Sequence, residues 1–496
     1  MHKLFKQSNL IYFYLIISFI SVVGCTKNET SSLPEIEDTN LVFESLVFEK
    51  KNNPNLSEDI VFDITDGIIN GKLKKYFFNA IPTFSTNATI VEINGLEQIS
   101  EKNSVDFRKL ITYNLKSASG TVKAYTVNIS WDDALAHIYF NTEGGAPIIS
   151  KDDYLYGVLT IDGQSRYEDL VIDSRIKGRG NSTWVLPKKP YKLKLSEDAS
   201  ILGLAPEKDW VLLADYLDGT HLLNAVAFKV GQMLEMPFTN TIIPVEVTIN
   251  NEYQGLYNLT EQVEVKSNRV NVGKDGLLLE LDANYDEEWQ FKSATYNLPV
   301  LIKDPELDNT SELAAIKSDF ETLEELIAAD NFPNNNYRDY IDDISIAKYL
   351  IVYMLTLNEE INHPKSTYIH KTATGKYTMG PLWDFDWGYG YEGTGWHFNN
   401  YNKDLFWSNP SKGTKFFTRL MSDPIIEALI KEYWEDFKAN HYSDLMDYIN
   451  EYDFITQGAK ARNSSLWPHN NEKDVDKLKQ WIENRISYMN TFINNL

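Results

Sequence analysis

Two aspartates stand two residues apart in the segment 381–390, which reads PLWDFDWGYG. On an extended backbone, side chains two positions apart point to the same side, so Asp384 and Asp386 are expected to face one ligand. Paired carboxylate oxygens suit a hard cation such as Mg²⁺, and the aromatic residues Trp383, Phe385 and Trp387 would lie on the other side, against the core. The alternative is a pair of buried aspartates that backbone N–H groups satisfy.

A second segment, 177–195, combines glycine with positive charge in the sequence KGRGNSTWVLPKKPYKLKL. Glycines at 178 and 180 let the backbone bend and approach a ligand closely, and the cations suit a phosphate group. In a strand, Lys192 and Lys194 share one face, so one of them can point into a cleft. The alternative is a solvated basic strand after a tight turn. The cations that follow the first glycine are Arg179, Lys188, Lys189, Lys192 and Lys194.

A third polar segment, 357–371, reads LNEEINHPKSTYIHK and follows an apolar helical pattern. Glu359, Glu360, Asn362 and His363 could supply a general base or a metal ligand. Taken singly, each of these residue types is more often an ordinary loop residue.

The whole chain of 496 residues is long enough for two or three domains, and its hydrophobic content of 43% allows a sizeable core. Its net charge of −24 argues against a nucleic-acid partner, because binding a phosphate backbone requires clustered Lys and Arg.

The N-terminus has the pattern of an export signal. Lys3 and Lys6 precede an apolar run over 11–23, which is short for a membrane span. Cys25, the sole cysteine, follows Val-Val-Gly in a sequence that resembles the lipobox of bacterial lipoproteins. We therefore expect a lipoprotein signal peptide over 1–24 and lipid on Cys25, with an uncleaved anchor as the alternative. The protein would be exported and anchored to a bacterial membrane, with the outer membrane expected, facing the periplasm or the surface.

Residues 25–40 are polar without apolar periodicity, which predicts a flexible tether. Residues 41–131 alternate short β-type runs with turns, which predicts a small antiparallel β-sandwich of immunoglobulin-like (Ig-like) type that serves as a spacer or adhesion module. The runs lie at 46–48, 60–62, 76–78, 90–91 and 125–129.

The remaining chain, 132–496, changes from strand to helix patterns. A strand-rich lobe is expected over about 136–282, with a hairpin that turns at Asn250 and Asn251. A helical lobe is expected over about 283–496, so the predicted class is α+β with a cleft between lobes. Apolar residues at helical spacing predict two helices in this lobe. Their apolar faces consist of Leu313, Ile316, Phe320, Leu323 and Ile327 in the first helix, and of Ile346, Leu350, Met354 and Leu357 in the second.

Several motifs in this order resemble the CotH (spore coat protein H) kinase family over about 132–496. They are RGNSTW with PKKPYKLKL, EKDWVLLADYLDGTHLLNAVAF at 207–228, YQGLYNLTEQVEVKSNRV at 253–270, GLLLELD at 276–282, and WDFDWGYG. The resemblance implies a two-lobed atypical protein-kinase-like fold that binds ATP with Mg²⁺ and phosphorylates a protein acceptor.

The resemblance also assigns residues. Arg179 and Asn181 of the Gly-rich segment would bind nucleotide, Lys194 would contact phosphate, and Glu261 would orient that lysine. Asp384 would be the metal-binding aspartate and Asp386 a second ligand. These residues, with Mg²⁺, would suffice in principle for phosphoryl transfer.

Two positions depart from the family pattern. Where members place an aspartate and a downstream asparagine, this chain has Glu359 or Glu360 as the candidate base and Ser366 downstream. Leu223 stands before Asn224 where arginine is common. An alternative function is therefore a kinase-like surface protein that binds or scaffolds glycans or proteins, and metal-dependent hydrolysis at the two aspartates is a third.

Overall fold

The computed structural model describes residues 40–393, 396–469 and 471–496. The predicted signal peptide, Cys25 and all but the last residue of the predicted tether lie outside these ranges. Among the described residues, no helix is both long enough and apolar enough to cross a bilayer.

The first block contains three sheets around a shared core that includes Leu46, Phe48, Tyr113 and Leu115. Its sheets run β2-β1-β6, β3-β4-β11-β10-β7-β8 and β5-β9. The β4–β11 pairing is parallel, which departs from the purely antiparallel arrangement that the sequence predicts, and the Ig-like assignment stays a prediction. The strands are β1 (Phe43–Phe48), β2 (Ile60–Val61), β3 (Asp63–Thr65), β4 (Ile68–Lys74), β5 (Asn79–Ala80), β6 (Thr83–Thr86), β7 (Ile90–Ile93), β8 (Leu96–Glu97), β9 (Val105–Asp106), β10 (Thr112–Lys116) and β11 (Val122–Asp132).

The predicted strand at 76–78 is wrong, because Lys75–Phe77 forms a 3₁₀ turn. Its side chains make contacts distant in sequence: Lys75 pairs with Asp133 at 2.8 Å, and the Tyr76 hydroxyl donates to the Gln164 carbonyl at 2.7 Å. These tertiary contacts outweigh the β propensity of the aromatic residues.

Seven strands then close into a barrel in the order β12-β13-β14-β15-β16-β18-β17. A parallel pairing of β12 with β17 closes it. On β15 the alternation is as predicted, with Leu193 and Leu195 inside and Lys192 and Lys194 outside. The strands are β12 (Ala136–Thr142), β13 (Leu155–Asp162), β14 (Leu170–Gly178), β15 (Tyr191–Ala199), β16 (Glu207–Leu213), β17 (Ile243–Ile249) and β18 (Glu252–Glu261).

The predicted hairpin is confirmed as β17–β18. Asn250 and Asn251 both have positive φ, 50° and 66°, which a two-residue hairpin turn of this kind requires and asparagine tolerates.

A second sheet, ordered β20-β21-β19-β22-β23, packs with helices beyond the barrel. The last run of the predicted strand-rich lobe, β19, belongs to this sheet and not to the barrel. The combination of strands and helices confirms the mixed α+β class. The elements are α1 (Leu223–Met233), β19 (Leu277–Leu281), β20 (Gln290–Lys292), β21 (Pro299–Asp304), α2 (Thr310–Ala328), α3 (Asp343–Thr356), β22 (Thr367–Lys371), β23 (Thr378–Met379), α4 (Lys412–Met421), α5 (Pro424–Asn440), α6 (Tyr442–Leu466) and α7 (Val475–Asn494).

Helix α3 is the central element of this second part. Asp342 caps its first turn by accepting from the Ile344 and Ser345 N–H groups, and every residue from 345 to 356 is buried. A helix that is apolar all round belongs inside a core. It ends at Leu357 in the left-handed region, and the polar turn that follows enters the cleft described below.

Candidate functional site

A cleft of about 430 Å³ lies between the barrel and the second sheet. The barrel contributes the Gly-rich loop after β14, the start of β15 and the chain that follows β16. The opposite wall comes from β19, the turn after α3, and the segment around the two aspartates. The cleft residues that the sequence assigned are Arg179, Asn181, Glu360, Asp384 and Asp386.

The Gly-rich loop folds tightly onto itself. A Cβ at Gly178 would collide with the Trp184 ring, and Gly180 has φ +83°, so both positions favour glycine. The loop places the Arg179 guanidinium 5.2 Å from the centre of the Trp383 ring. Burial lowers the pKa of Arg179, and the charges of Asp384 and other nearby carboxylates oppose that shift.

Asn181, in contrast, is exposed at the cleft mouth. Its side chain accepts from the Lys151 ammonium at 2.7 Å and donates to Asp286 at 3.0 Å. Asn181 thus links the Gly-rich loop to both walls of the cleft.

The two aspartates come together, although their backbone is not a strand. Asp384 has φ +65°, which breaks the alternation that the sequence predicts, and Trp383 and Trp387 line the cleft with the aspartates. The expected packing against the core is seen for Phe385 and Trp383, but Trp383 and Trp387 also line the cleft beside the aspartates. Burial, then the charge of Asp384, raises the pKa of Asp386 well above its usual range.

Three polar side chains hold this backbone segment in place. Asn358 donates to the Asp384 carbonyl at 3.0 Å, Asn224 accepts from the Phe385 N–H at 2.8 Å, and His397 bonds the Asp386 carbonyl at 2.7 Å. The sequence does not predict these roles, because the three hydrogen bonds join residues that are 11, 26 and 161 positions apart, beyond the reach of a local pattern.

The donor set at the aspartates fits Mg²⁺. Within the part of the chain that the structure describes, no group of three or more His, Cys, Asp or Glu side chains is placed to hold a metal alone. Mg²⁺ in phosphate-transferring sites commonly takes one or two carboxylates and completes its shell with phosphate oxygens and water. Asp384 and Asp386 supply those carboxylates, and the Ser366 hydroxyl lies 3.4 Å from Asp384.

The structure separates the two candidate bases. Glu359 points away from the cleft, where Lys403 and the Trp407 indole each bind its carboxylate at 2.7 Å. Glu360 lines the cleft, and Lys365 lies 3.7 Å away. Burial, then the charge of Asp384, raises the pKa of Glu360 to about 8.

The strand lysine of the cleft is Lys192 and not Lys194. Lys192 lines the cleft and pairs with Asp209 at 3.0 Å, whereas Lys194 pairs with the same carboxylate at 3.4 Å and lines a separate groove. Glu261 accepts from the Thr241 N–H at 2.7 Å. The predicted Lys194–Glu261 pair is thus replaced, among the described residues, by Asp209 shared between two lysines.

The sequence grouped Lys188 with the cations that suit a phosphate, but the structure buries this lysine at the floor of the cleft. Lys188 is 1% exposed and donates to the Ala214 carbonyl at 2.7 Å and to the Leu256 carbonyl. Burial lowers its pKa, and the nearby Asp215 carboxylate opposes that shift. Asp215 also bonds Asn224, so the lysine connects with the group that holds the Phe385 N–H.

Two further acids come from the GLLLELD motif. Glu280 and Asp282 alternate on β19 and the residue after it, and both line the cleft. Lys303 lies 3.2 Å from Glu280, whose pKa burial raises to about 7. Asp282 accepts from the Ser366 N–H at 3.2 Å. The alternation of charged and apolar residues in the motif is the sequence pattern that could have placed Glu280 and Asp282 on one face of the strand.

Comparison with known proteins identifies the family of the chain. A family model described as CotH kinase protein matches residues 176–489, which is well over half of the chain. A search of curated proteins gives no match. The matched region runs from the last residues of β14 into α7 and includes the cleft residues described above except Lys151. The chain therefore belongs to the CotH kinase family.

Proposed function

We propose that this protein is an ATP- and Mg²⁺-dependent protein kinase that transfers a phosphoryl group to hydroxyl groups of a protein acceptor. The observation that carries the proposal is the meeting of Arg179 and Lys192 with Glu360, Asp384 and Asp386 in one cleft. Phosphoryl transfer depends mainly on positioning and charge stabilisation, and these side chains supply both.

The residues divide into three roles. Asp384 and Asp386 would hold Mg²⁺, which when bound neutralises charge on the phosphates. Arg179 and Lys192 orient the phosphate chain from the barrel side. Glu360 accepts the proton of the acceptor hydroxyl, and a cation bound beside it would lower its raised pKa by offsetting the charge of Asp384.

The two neighbouring glutamates give a matched test. The full chain is incubated with labelled ATP, Mg²⁺ and candidate acceptor proteins, and transfer is compared among the wild type, Glu360→Gln and Glu359→Gln. We expect Glu360→Gln to lower transfer by about 10²–10⁴-fold, because general-base catalysis has that magnitude. Glu359→Gln removes an equal charge outside the cleft and should retain most activity.

A second candidate function is binding or scaffolding without transfer. It is favoured by Lys365, which lies 3.7 Å from Glu360 and competes for its carboxylate, and by Ser366 at the position where the family places asparagine. Nucleotide binding with no transfer above an Asp384→Ala control would favour this candidate over the kinase.

We also propose that the protein acts outside the cytoplasm, held to the membrane by lipid on Cys25. The proposal rests on the N-terminal charge, the apolar run and the lipobox-like sequence. Metabolic labelling with a fatty-acid analogue should mark the wild type and not Cys25→Ser. Equal labelling of both proteins would refute the assignment.

A further inference from the structure

Four cations form a compact block on the outer face of the barrel. Arg175 and Lys177 point outward from β14, and the sheet register places them directly opposite Lys194 and Lys192 of β15. Directly opposed residues lie about 5 Å apart, and alternate residues lie about 7 Å apart along a strand. The block is therefore two cross-strand pairs of like charge side by side.

Cross-strand pairs of like charge destabilise a sheet, and few carboxylates neutralise the cations of this block. Asp209 is shared by Lys192 and Lys194, and within the described residues neither Arg175 nor Lys177 forms an ion pair. The chain carries 71 acidic residues against 47 Lys and Arg, so carboxylates are abundant elsewhere. The unneutralised charge at this place indicates a site for an anionic partner.

The block connects two cavities. Lys177 and Lys192 line the cleft, whereas Arg175 and Lys194 line a groove of about 640 Å³ that crosses the outer face of β12 to β16. Lys208 lies in the same groove, and no ion pair to it is present in the described part of the chain.

The groove also offers ordered apolar surface. The Arg175 guanidinium lies 5.2 Å from the Tyr154 ring centre and 5.7 Å from that of Tyr156, so the two rings hold it in place. Tyr156 is 59% exposed and Val158 is 38% exposed. Fixed cations beside exposed apolar side chains match a polypeptide in which carboxylates alternate with other residues.

We propose that this groove binds an acidic segment of the polypeptide acceptor, next to the cleft that would phosphorylate it. The acceptor role rests on the proposed kinase function, but the binding itself does not require nucleotide or transfer. Charge complementarity selects the occupant: the four-cation block and Lys208 outnumber the nearby carboxylates of Asp209, Glu143 and Asp173, so a run of glutamates or aspartates would supply the remaining partners.

The test is the affinity of the full chain for a fluorescein-labelled peptide of ten glutamates, measured by anisotropy without nucleotide at low salt. The variant is Arg175→Gln with Lys208→Gln, which spares Lys194 because that lysine shares Asp209 with the cleft lysine. The matched control is Lys274→Gln with Lys376→Gln, two exposed lysines outside both cavities that change the net charge equally.

We expect the groove variant to bind the peptide at least tenfold more weakly than the wild type, and the control to bind within about twofold, with wild-type binding weakened by salt. The melting temperature of the groove variant should not fall below that of the control, because Arg175→Gln removes one member of a like-charge pair. Equal affinities of groove variant and control would overturn the proposal. So would binding of polygalacturonate at this groove without binding of the peptide, since that result assigns the groove to an acidic glycan. Peptide binding without transfer would leave this proposal standing and refute only the kinase function.

Discussion

The buried pair of Lys188 and Asp215 allows a quantitative test of how the cleft floor is held. Lys188→Met keeps the length of the side chain and removes its charge, which leaves Asp215 buried without its cation. We expect a loss of about 3–5 kcal/mol, because the change removes the cation near a buried carboxylate and also leaves the Ala214 and Leu256 carbonyls without their donor. Adding Asp215→Asn should recover part of the loss, with a non-additivity of about 0.5–3 kcal/mol.

The assay is urea unfolding of each variant at neutral pH. Lys189→Met is the matched control, because Lys189 is the next residue but donates to the Trp184 carbonyl at 2.6 Å at the partly exposed loop. The control should lose no more than about 1.5 kcal/mol, the value of one ordinary hydrogen bond. Equal losses for Lys188→Met and Lys189→Met, or strictly additive effects of Lys188→Met and Asp215→Asn, would refute the reasoning.

The same pair predicts a pH dependence. Burial lowers the pKa of Lys188 in the folded protein, so above that folded pKa and below the unfolded value of about 10.4 the unfolded chain binds more protons. The free energy of unfolding therefore rises with pH in this window, by at most about 1.4 kcal/mol per pH unit. Lys188→Met lacks this contribution, so the advantage of the wild type over it should widen in alkaline buffer. Burial raises the pKa of Asp215, so the contribution of this group to the free energy of unfolding falls as the pH rises, in a more acidic window than that of Lys188.

Three further predictions concern the cleft. Asn224→Ala removes the acceptor of the Phe385 N–H and should lower Mg²⁺-dependent transfer at least tenfold, because the aspartates shift. In a metal titration the variant should require more Mg²⁺ than the wild type. An unchanged Mg²⁺ requirement would exclude this role of Asn224. Gly178→Val should lower the free energy of unfolding in urea by about 1–3 kcal/mol, because the valine side chain meets the Trp184 ring. A variant as stable as the wild type would show that the loop adjusts without cost. ATP with Mg²⁺ at a hundred times its Kd should stabilise the fold by about 2.7 kcal/mol in calorimetry. Asp384→Asn should lose the part of this stabilisation that depends on Mg²⁺. Stabilisation that does not depend on Mg²⁺ would contradict a metal site at the two aspartates.

The sequence was most informative where local pattern determines structure. Alternation on β15 and the paired asparagines of the β17–β18 turn depend on neighbouring residues, so both predictions are confirmed. The same alternation cannot tell which end of a strand meets a cleft. That limit explains why Lys194 was chosen over Lys192, two residues away on the same face.

Buried charge was the part that local pattern could not predict. Lys188 resembles any surface lysine in sequence, and the carbonyls that it binds lie 26 and 68 residues further along the chain. Asp384 and Asp386 lie in one cleft, as their spacing predicts, but on a backbone that is not extended, and their role as metal ligands stays a prediction. The left-handed φ of Asp384 is maintained by distant groups such as Asn224 and Asn358, which no local periodicity reveals.

The distribution of charge across the cleft limits what it can bind. On the barrel wall, Lys177 and Arg179 are cations without ion pairs among the described residues, while Asp384 and Asp386 on the opposite wall are carboxylates without ion pairs there. A simple anion that filled the cleft would meet repulsion from the aspartates, and a lone cation would meet repulsion from Arg179. A metal-bound phosphate carries both signs and can contact both walls favourably. The electrostatics of the cleft therefore support the proposal that a metal-bound phosphate is its ligand.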